Sequence, residues 1–176
     1  MKKDTFQFNG DMPKDYLFGA GYDIHRLIFG EKIVLCGVKI PFDRAFDAHS
    51  DGDVPLHAVM DAILSSLGQK DIGHLFPVSD DNYKGADSAS LLKKVLTIAN
   101  EKGYTVSNAS VAVIAERPKL APYIDDMKTA LANILNIPTS RVGITATTNE
   151  GVGVLGKEEA IAAFAVVSLE KIKREV

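Results

Sequence analysis

The sequence predicts one domain of the α/β class (α+β type), and two observations carry that reading. Short apolar runs bounded by Gly or Pro, the mark of strands, alternate along the chain with stretches whose apolar residues recur at helical spacing. The 176 residues, 46% of them hydrophobic and 24% charged, can bury one sizeable core and are too apolar for a disordered chain. No internal repeat or low-complexity tract divides the sequence. Residues 16–176 are read as a single domain, and residues 1–15, which include Gly10 and Pro13 but no apolar signal core, as a short lead-in.

Taken in order, the runs Tyr16 to Ile24 and Ile33 to Ile40 are the first two strands. From Val54 to Leu67 the residues Leu56, Val59, Met60, Ile63, Leu64 and Leu67 recur at helical spacing, with Pro55 in the first turn, which predicts an amphipathic helix. A second helix begins at Asp87 or Ser88, either able to cap it, carries Leu91, Leu92, Val95, Leu96 and Ile98, and stops at Gly103. A strand follows over Tyr104 to Ala115. Pro118 and Pro122 open a third helix with Ile124, Met127, Leu131, Ile134 and Leu135, which Pro138 ends before a strand from Arg141 to Thr148. The last segment, Glu158 to Ile172, is divided, because its alanines favour helix while Phe164, Val166 and Val167 favour strand.

Charge and composition exclude several partners. With 23 acidic against 20 basic residues the net charge is −3, and no basic stripe offers itself to a phosphate backbone, so no nucleic acid is expected. The longest uncharged apolar stretch, Ala160 to Leu169, is about half of the ~20 residues a membrane-spanning helix needs. No membrane partner is expected either. The lone Cys36 sits in the apolar run Ile33 to Val38 and reads as a buried core thiol, which fits a reducing compartment.

Near the C-terminus Gly151, Gly153, Gly156 and Lys157 imitate two nucleotide motifs. Too little chain follows for a dinucleotide-binding unit, and Glu158 stands where a phosphate loop needs Ser or Thr. A flexible glycine loop joining two strands is expected there.

One constellation has the chemistry of a metal site. Asp23 and His25 are two apart at the end of the first strand, so they project from one face roughly 6 to 7 Å apart. His57, at the edge of the apolar stripe of the first helix, points between helix and sheet. Two imidazoles and one carboxylate leave one tetrahedral position open, as in catalytic zinc sites. Asp61 or Asp53, one turn either side of His57, is expected to fix its tautomer. Spacing alone leaves open both a metal site and a hydrogen-bonded core histidine. His49-Ser50 could donate to a phosphate, Asp71-Ile72-Gly73 reads as a helix exit, and Thr147-Thr148-Asn149-Glu150 ends a strand with oxygens that suit a phosphate and a hard cation.

Together, Gly21-Tyr22-Asp23-Ile24-His25, His49 to Val54 continuing to His57, Asp71-Ile72-Gly73 with Phe76-Pro77, Lys84 to Ser88, Pro118-Lys119 and Ala146-Thr147-Thr148 resemble the 2-C-methyl-D-erythritol 2,4-cyclodiphosphate synthase family, over Phe18 to Ile172. Six separated motifs in order are far more specific than any one. The resemblance implies a strand for the last segment, a four-stranded mixed sheet covered by helices on one side, and a homotrimer with active sites between subunits. It implies Asp23, His25 and His57 as ligands of one zinc per subunit, and Glu150 as a ligand of a magnesium or manganese ion on the substrate diphosphate. His49 and Thr148 would stabilise the transition state. Ser50, Asp71, Ile72, Gly73, Phe76, Pro77, Val78, Ser79 and Asp80 would surround the methylerythritol phosphate. Ala115, Glu116, Arg117, Pro118, Lys119, Leu120, Ala121, Thr147 and Asn149 would surround the cytidine and its diphosphate. Val154 and Lys157 complete the set where the family often has an aromatic and an arginine, and a lysine keeps the charge but loses the bidentate fork.

The implied reaction closes 4-diphosphocytidyl-2-C-methyl-D-erythritol 2-phosphate to the 2,4-cyclodiphosphate with release of CMP, in isoprenoid precursor synthesis, in the cytoplasm or, in a eukaryote, a plastid-type organelle. A zinc-dependent phosphohydrolase is the alternative, because the same ligands and open position can activate water.

Overall fold

The computed structural model describes residues 16–77 and 79–172. Val78, expected at the methylerythritol phosphate, and the lead-in lie outside them. Strand β1 (Tyr16–Phe29) runs antiparallel to β7 (Ala160–Lys171), from Tyr16 opposite Glu170 to Arg26 opposite Ala160. The last segment is thus a strand, as the resemblance implies. β7 is also antiparallel to β5 (Tyr104–Ile114), and β5 is parallel to β6 (Val142–Thr147). A short β4 (Arg44–Phe46) pairs with Leu27–Phe29 at the far end of β1, giving a five-stranded sheet in the order β4-β1-β7-β5-β6. The expected count of four is corrected, since a three-residue strand is too short to show a period of two.

Two further expectations change. β1 continues past Ile24 to Phe29, so Asp23 and His25 lie inside the strand and not at its end. Residues 33–40 form no single strand but a separate hairpin, β2 (Lys32–Leu35) and β3 (Val38–Pro41), turning at Cys36 and Gly37 with φ of 53° and 79°. Such a turn favours Asn-Gly, and a cysteine there gives no signal in the sequence. It is held from outside. The Asp53 carboxylate accepts the N–H groups of Cys36 at 2.9 Å, Gly37 at 2.6 Å and Leu56 at 3.2 Å, tying the hairpin to the first helix. Burial pushes the Asp53 carboxyl up to about 7, against the pull of those donors. The Cys36 thiol is fully buried, as expected, and burial pushes it up as well.

The helices cover one face. α1 (Val54–Ser66) packs on β1 and β7, α3 (Ser88–Glu101) on β5 and α4 (Ile124–Leu135) on β6. Asp87 caps α3 through Ala89 N–H, and α4 ends at Asn136 in the left-handed region. Short helices α2 (Ile72–Leu75) and α5 (Gly153–Gly156) complete the set; α5 occupies the place of the expected glycine loop.

Gly19 and Gly21 decide how closely α1 lies on β1. A Cβ at these positions would stand 2.0 Å from the Ala62 carbonyl oxygen and 2.1 Å from that of Ala58. Backbone therefore rests on backbone, and the next residues on the same face of β1, Asp23 and His25, meet the first turns of α1. Gly21→Ala is expected to cost about 3 kcal/mol by overpacking, seen as a melting temperature lowered by roughly 6–12 °C. An unchanged melting curve would show that α1 can lift without cost.

The opposite face of the sheet is apolar and uncovered. Tyr16, Phe18, Tyr22 and Ile24 of β1 alternate outward, Phe164 lies opposite Tyr22, and Phe18 is 72% exposed. Among the described residues no helix is long and apolar enough to cross a membrane.

Candidate metal centre and active site

Alternation in β1 turns Asp23 and His25 toward α1, and the close helix contact brings His57 from the first turn of α1 beside them. One ligating atom of each lies within 4.8 Å of the other two. Asp23 Oδ2 is 3.0 Å from His25 Nδ1 and 2.9 Å from His57 Nδ1. The His25 contact is close but lacks hydrogen-bond alignment, so His25 Nδ1 is buried with no hydrogen-bond partner among the described residues. Burial raises the Asp23 carboxyl, yet the two histidines, by contact and by charge, outweigh it and hold the group well below the usual carboxylate range. Two imidazole nitrogens and a carboxylate oxygen converging on one point, one nitrogen unpaired, is a donor set that fits a divalent cation such as zinc with a position left open.

The far side of His57 corrects an expectation. Its Nε2 meets Ser88 Oγ at 3.0 Å and Ser50 Oγ at 3.2 Å, and neither Asp53 nor Asp61. Asp53 is committed to the hairpin, and Asp61 turns to accept the Ile72 N–H at 2.8 Å, fixing the start of α2. Helical spacing gives the side of a helix and not the direction a short carboxylate takes.

A pocket of about 200 Å³ opens beside the triad, lined also by His49, Ser50, Ile72, Gly73, Phe76, Tyr83 and Leu91. His49 Nε2 is buried with no hydrogen-bond partner among the described residues. Tyr83 was not singled out by the sequence, and Leu91 was read only as part of the apolar stripe of its helix and not as lining the site. Tyr83 stands edge-on to Phe76 at 5.2 Å, and its one signal was its place directly before Lys84-Gly85. Asp71 is exposed and caps α2 by accepting the His74 N–H at 3.0 Å, while the Asp80 carboxylate accepts the Asn82 N–H at 3.0 Å. Pro77 and Ser79 lie between them on the same loop.

A second group forms at the ends of β5 and β6. Ala115 N–H donates to the Thr147 carbonyl at 2.9 Å, and Glu116 Oε1 accepts the N–H groups of Asn149 at 2.9 Å and Gly151 at 3.2 Å. Thr148 Oγ1 donates to Glu150 Oε1 at 3.2 Å, and Glu150 has a φ of 52°. Arg117 reaches Glu158 at 3.7 Å; Pro118, Lys119, buried Leu120 and Ala121 continue that loop, and Val154 and Lys157 lie exposed at α5. The two groups do not meet within one chain. Ile24, Ala162, Ile114 and Thr147 stand side by side across the sheet, so Thr147 is three strand spacings, roughly 14 Å, from β1.

A mixed sheet whose carboxylate and imidazole meet a second imidazole from the helix above, beside a small pocket, defines an α/β enzyme acting on a small molecule. The chain belongs to the YgbB family, whose model matches residues 16–170. Its relatives are lyase-type synthases, and the chain is an enzyme of that type. The 2-C-methyl-D-erythritol 2,4-cyclodiphosphate synthase of Geobacter metallireducens is 47% identical over 153 residues, spanning 87% of this chain and 98% of that protein. Among solved structures, the bifunctional IspDF from Campylobacter jejuni superposes with a TM-score of 0.86 at 34% identity, over 90% of this chain and 43% of that one. IspF of Plasmodium falciparum, in a CDP complex, gives 0.79 at 33% identity, over 90% and 98%.

Proposed function

We propose that this enzyme converts 4-diphosphocytidyl-2-C-methyl-D-erythritol 2-phosphate to 2-C-methyl-D-erythritol 2,4-cyclodiphosphate and CMP. The observation that carries the reading is the convergence of Asp23, His25 and His57 beside a pocket holding His49 and Ser50. A 2-phosphate oxygen attacks the β-phosphorus, one P–O bond forms, the bond to CMP breaks, and no water enters. The nucleophile is already anionic at neutral pH, so no general base is required. The barrier is the approach of two negative groups in line, and positioning with charge neutralisation lowers it.

Asp23, His25 and His57 would hold zinc, one per subunit, and Glu150 would ligate magnesium or manganese. Such cations withdraw charge from diphosphate oxygens. His49, whose Nε2 is buried with no hydrogen-bond partner among the described residues, and the Ser50 hydroxyl would supply donors for a phosphate of the methylerythritol half, with Ile72 and Gly73 shaping the pocket wall. Ala115 to Ala121 with Thr147 would take the cytidine, and Thr148 would steady the diphosphate; the CDP bound to the Plasmodium relative supports this half.

The split between the two groups and the uncovered apolar sheet face both support a homotrimer, in which His57 of one subunit and Thr148 of the next share a site. A buried, unpaired Cys36 suits the cytoplasm.

Product analysis in ¹⁸O-water tests the reaction. Equimolar CMP and cyclic diphosphate without ¹⁸O are expected. Label in either product would mean hydrolysis and overturn the cyclase reading.

A further inference from the structure

Ser88 is fully buried and sits 31 residues beyond His57 in the chain, yet its hydroxyl is one of two that meet His57 Nε2. Its single proton is already committed. Ser88 Oγ donates to Asp51 Oδ1 in a short contact, while Asp51 Oδ2 accepts the Ser88 N–H at 3.1 Å and Asp51 Oδ1 accepts the Asp53 N–H at 3.2 Å. In all three contacts, one of them from the first N–H of α3, Asp51 is the acceptor. Ser88 Oγ can therefore only accept from His57, which requires a proton on His57 Nε2.

We infer that Asp51 and Ser88 are positioning residues that hold a proton on His57 Nε2, so that Nδ1, which lies 2.9 Å from Asp23 Oδ2, is the atom left to ligate a metal in the Asp23–His25 cluster. The order of polarity is Asp51 accepting from Ser88, and Ser88 accepting from His57 Nε2–H. Ser50 Oγ also faces Nε2 and accepts the Gly52 N–H at 3.2 Å, so the Ser50 proton stays free for the pocket. Outer partners of this kind set ring orientation and ligand basicity, and losing one costs about 10- to 100-fold in metal affinity.

The inference rests on the reading of Asp23, His25 and His57 as metal ligands, and the experiment separates the two. Zinc content of the purified wild-type protein comes first; no zinc would overturn both. With zinc present, ¹⁵N-histidine spectra of the zinc-loaded protein, which has only four histidines, are expected to show His57 bound through Nδ1 with a proton on Nε2. Ligation through Nε2 would overturn the relay alone. Chelator competition then compares zinc affinity: Ser88→Ala is expected to bind about 10- to 100-fold more weakly, and Ser88→Thr, which keeps the hydroxyl, to recover most of the loss. Wild-type affinity in Ser88→Ala would overturn the relay while leaving the ligand set standing. Should Ser88→Ala fail to fold, the wild-type nitrogen spectrum decides alone.

Discussion

Replacing His57 by Ala is expected to remove metal and activity together. The triad has one nitrogen from β1, one from α1 and a single carboxylate, so the variant leaves two ligands on one strand and nothing opposite them. Neutralising a diphosphate oxygen is worth several kcal/mol, and losing about 4 kcal/mol lowers turnover roughly 10³-fold. Ser50 and Ser88 would also lose a partner, which costs about 1–3 kcal/mol of stability, so thermal unfolding should be followed beside the metal analysis. Elemental analysis of freshly purified protein reads the first effect and CMP release the second. Stoichiometric zinc in the variant would mean that the ligands are assigned wrongly.

Mixing two dead proteins should restore activity. His57→Ala damages the Asp23–His25–His57 group and Thr148→Val the β6 group, and these stand three strands apart within a chain. If the site joins His57 of one subunit to Thr148 of its neighbour, random reassembly at equal ratio leaves about one interface in four intact, and about a quarter of native activity returns. Either variant reassembled alone should stay inactive. Mixed trimers that form, as shown by differently tagged subunits eluting together, and remain inactive would place both groups in one subunit's site.

What the sequence conveyed depended on the length of each pattern. The apolar run that opens β1 and the helical spacing of α1 are such patterns, and they set Asp23 and His25 on one face of a strand and His57 between helix and sheet. β4 has three residues and the Cys36-Gly37 turn owes its shape to Asp53, so neither had a local signal to offer. The supports of His57 were the least legible part. Asp51 reads as half of an Asp-Gly turn and Ser88 as the start of a helix, and their joint role depends on a contact 37 residues apart along the chain. Asp61 shows the converse, since its position was anticipated and its partner, the Ile72 N–H, was not.

The bare contact of β1 with α1 also bears on which cations the triad would accept. Where a ligand cage is held by side-chain packing, it can swell to suit a larger ion. Here the separation between the strand that carries Asp23 and His25 and the helix that carries His57 is set by main chains already touching at Gly19 and Gly21. Such a cage has little give. Calcium, which prefers six to eight oxygens at about 2.3–2.6 Å, would need both more donors and more room, whereas zinc is satisfied by nitrogen and oxygen at about 2.0–2.2 Å. Two glycines that touch no metal would thereby act as a size filter for one.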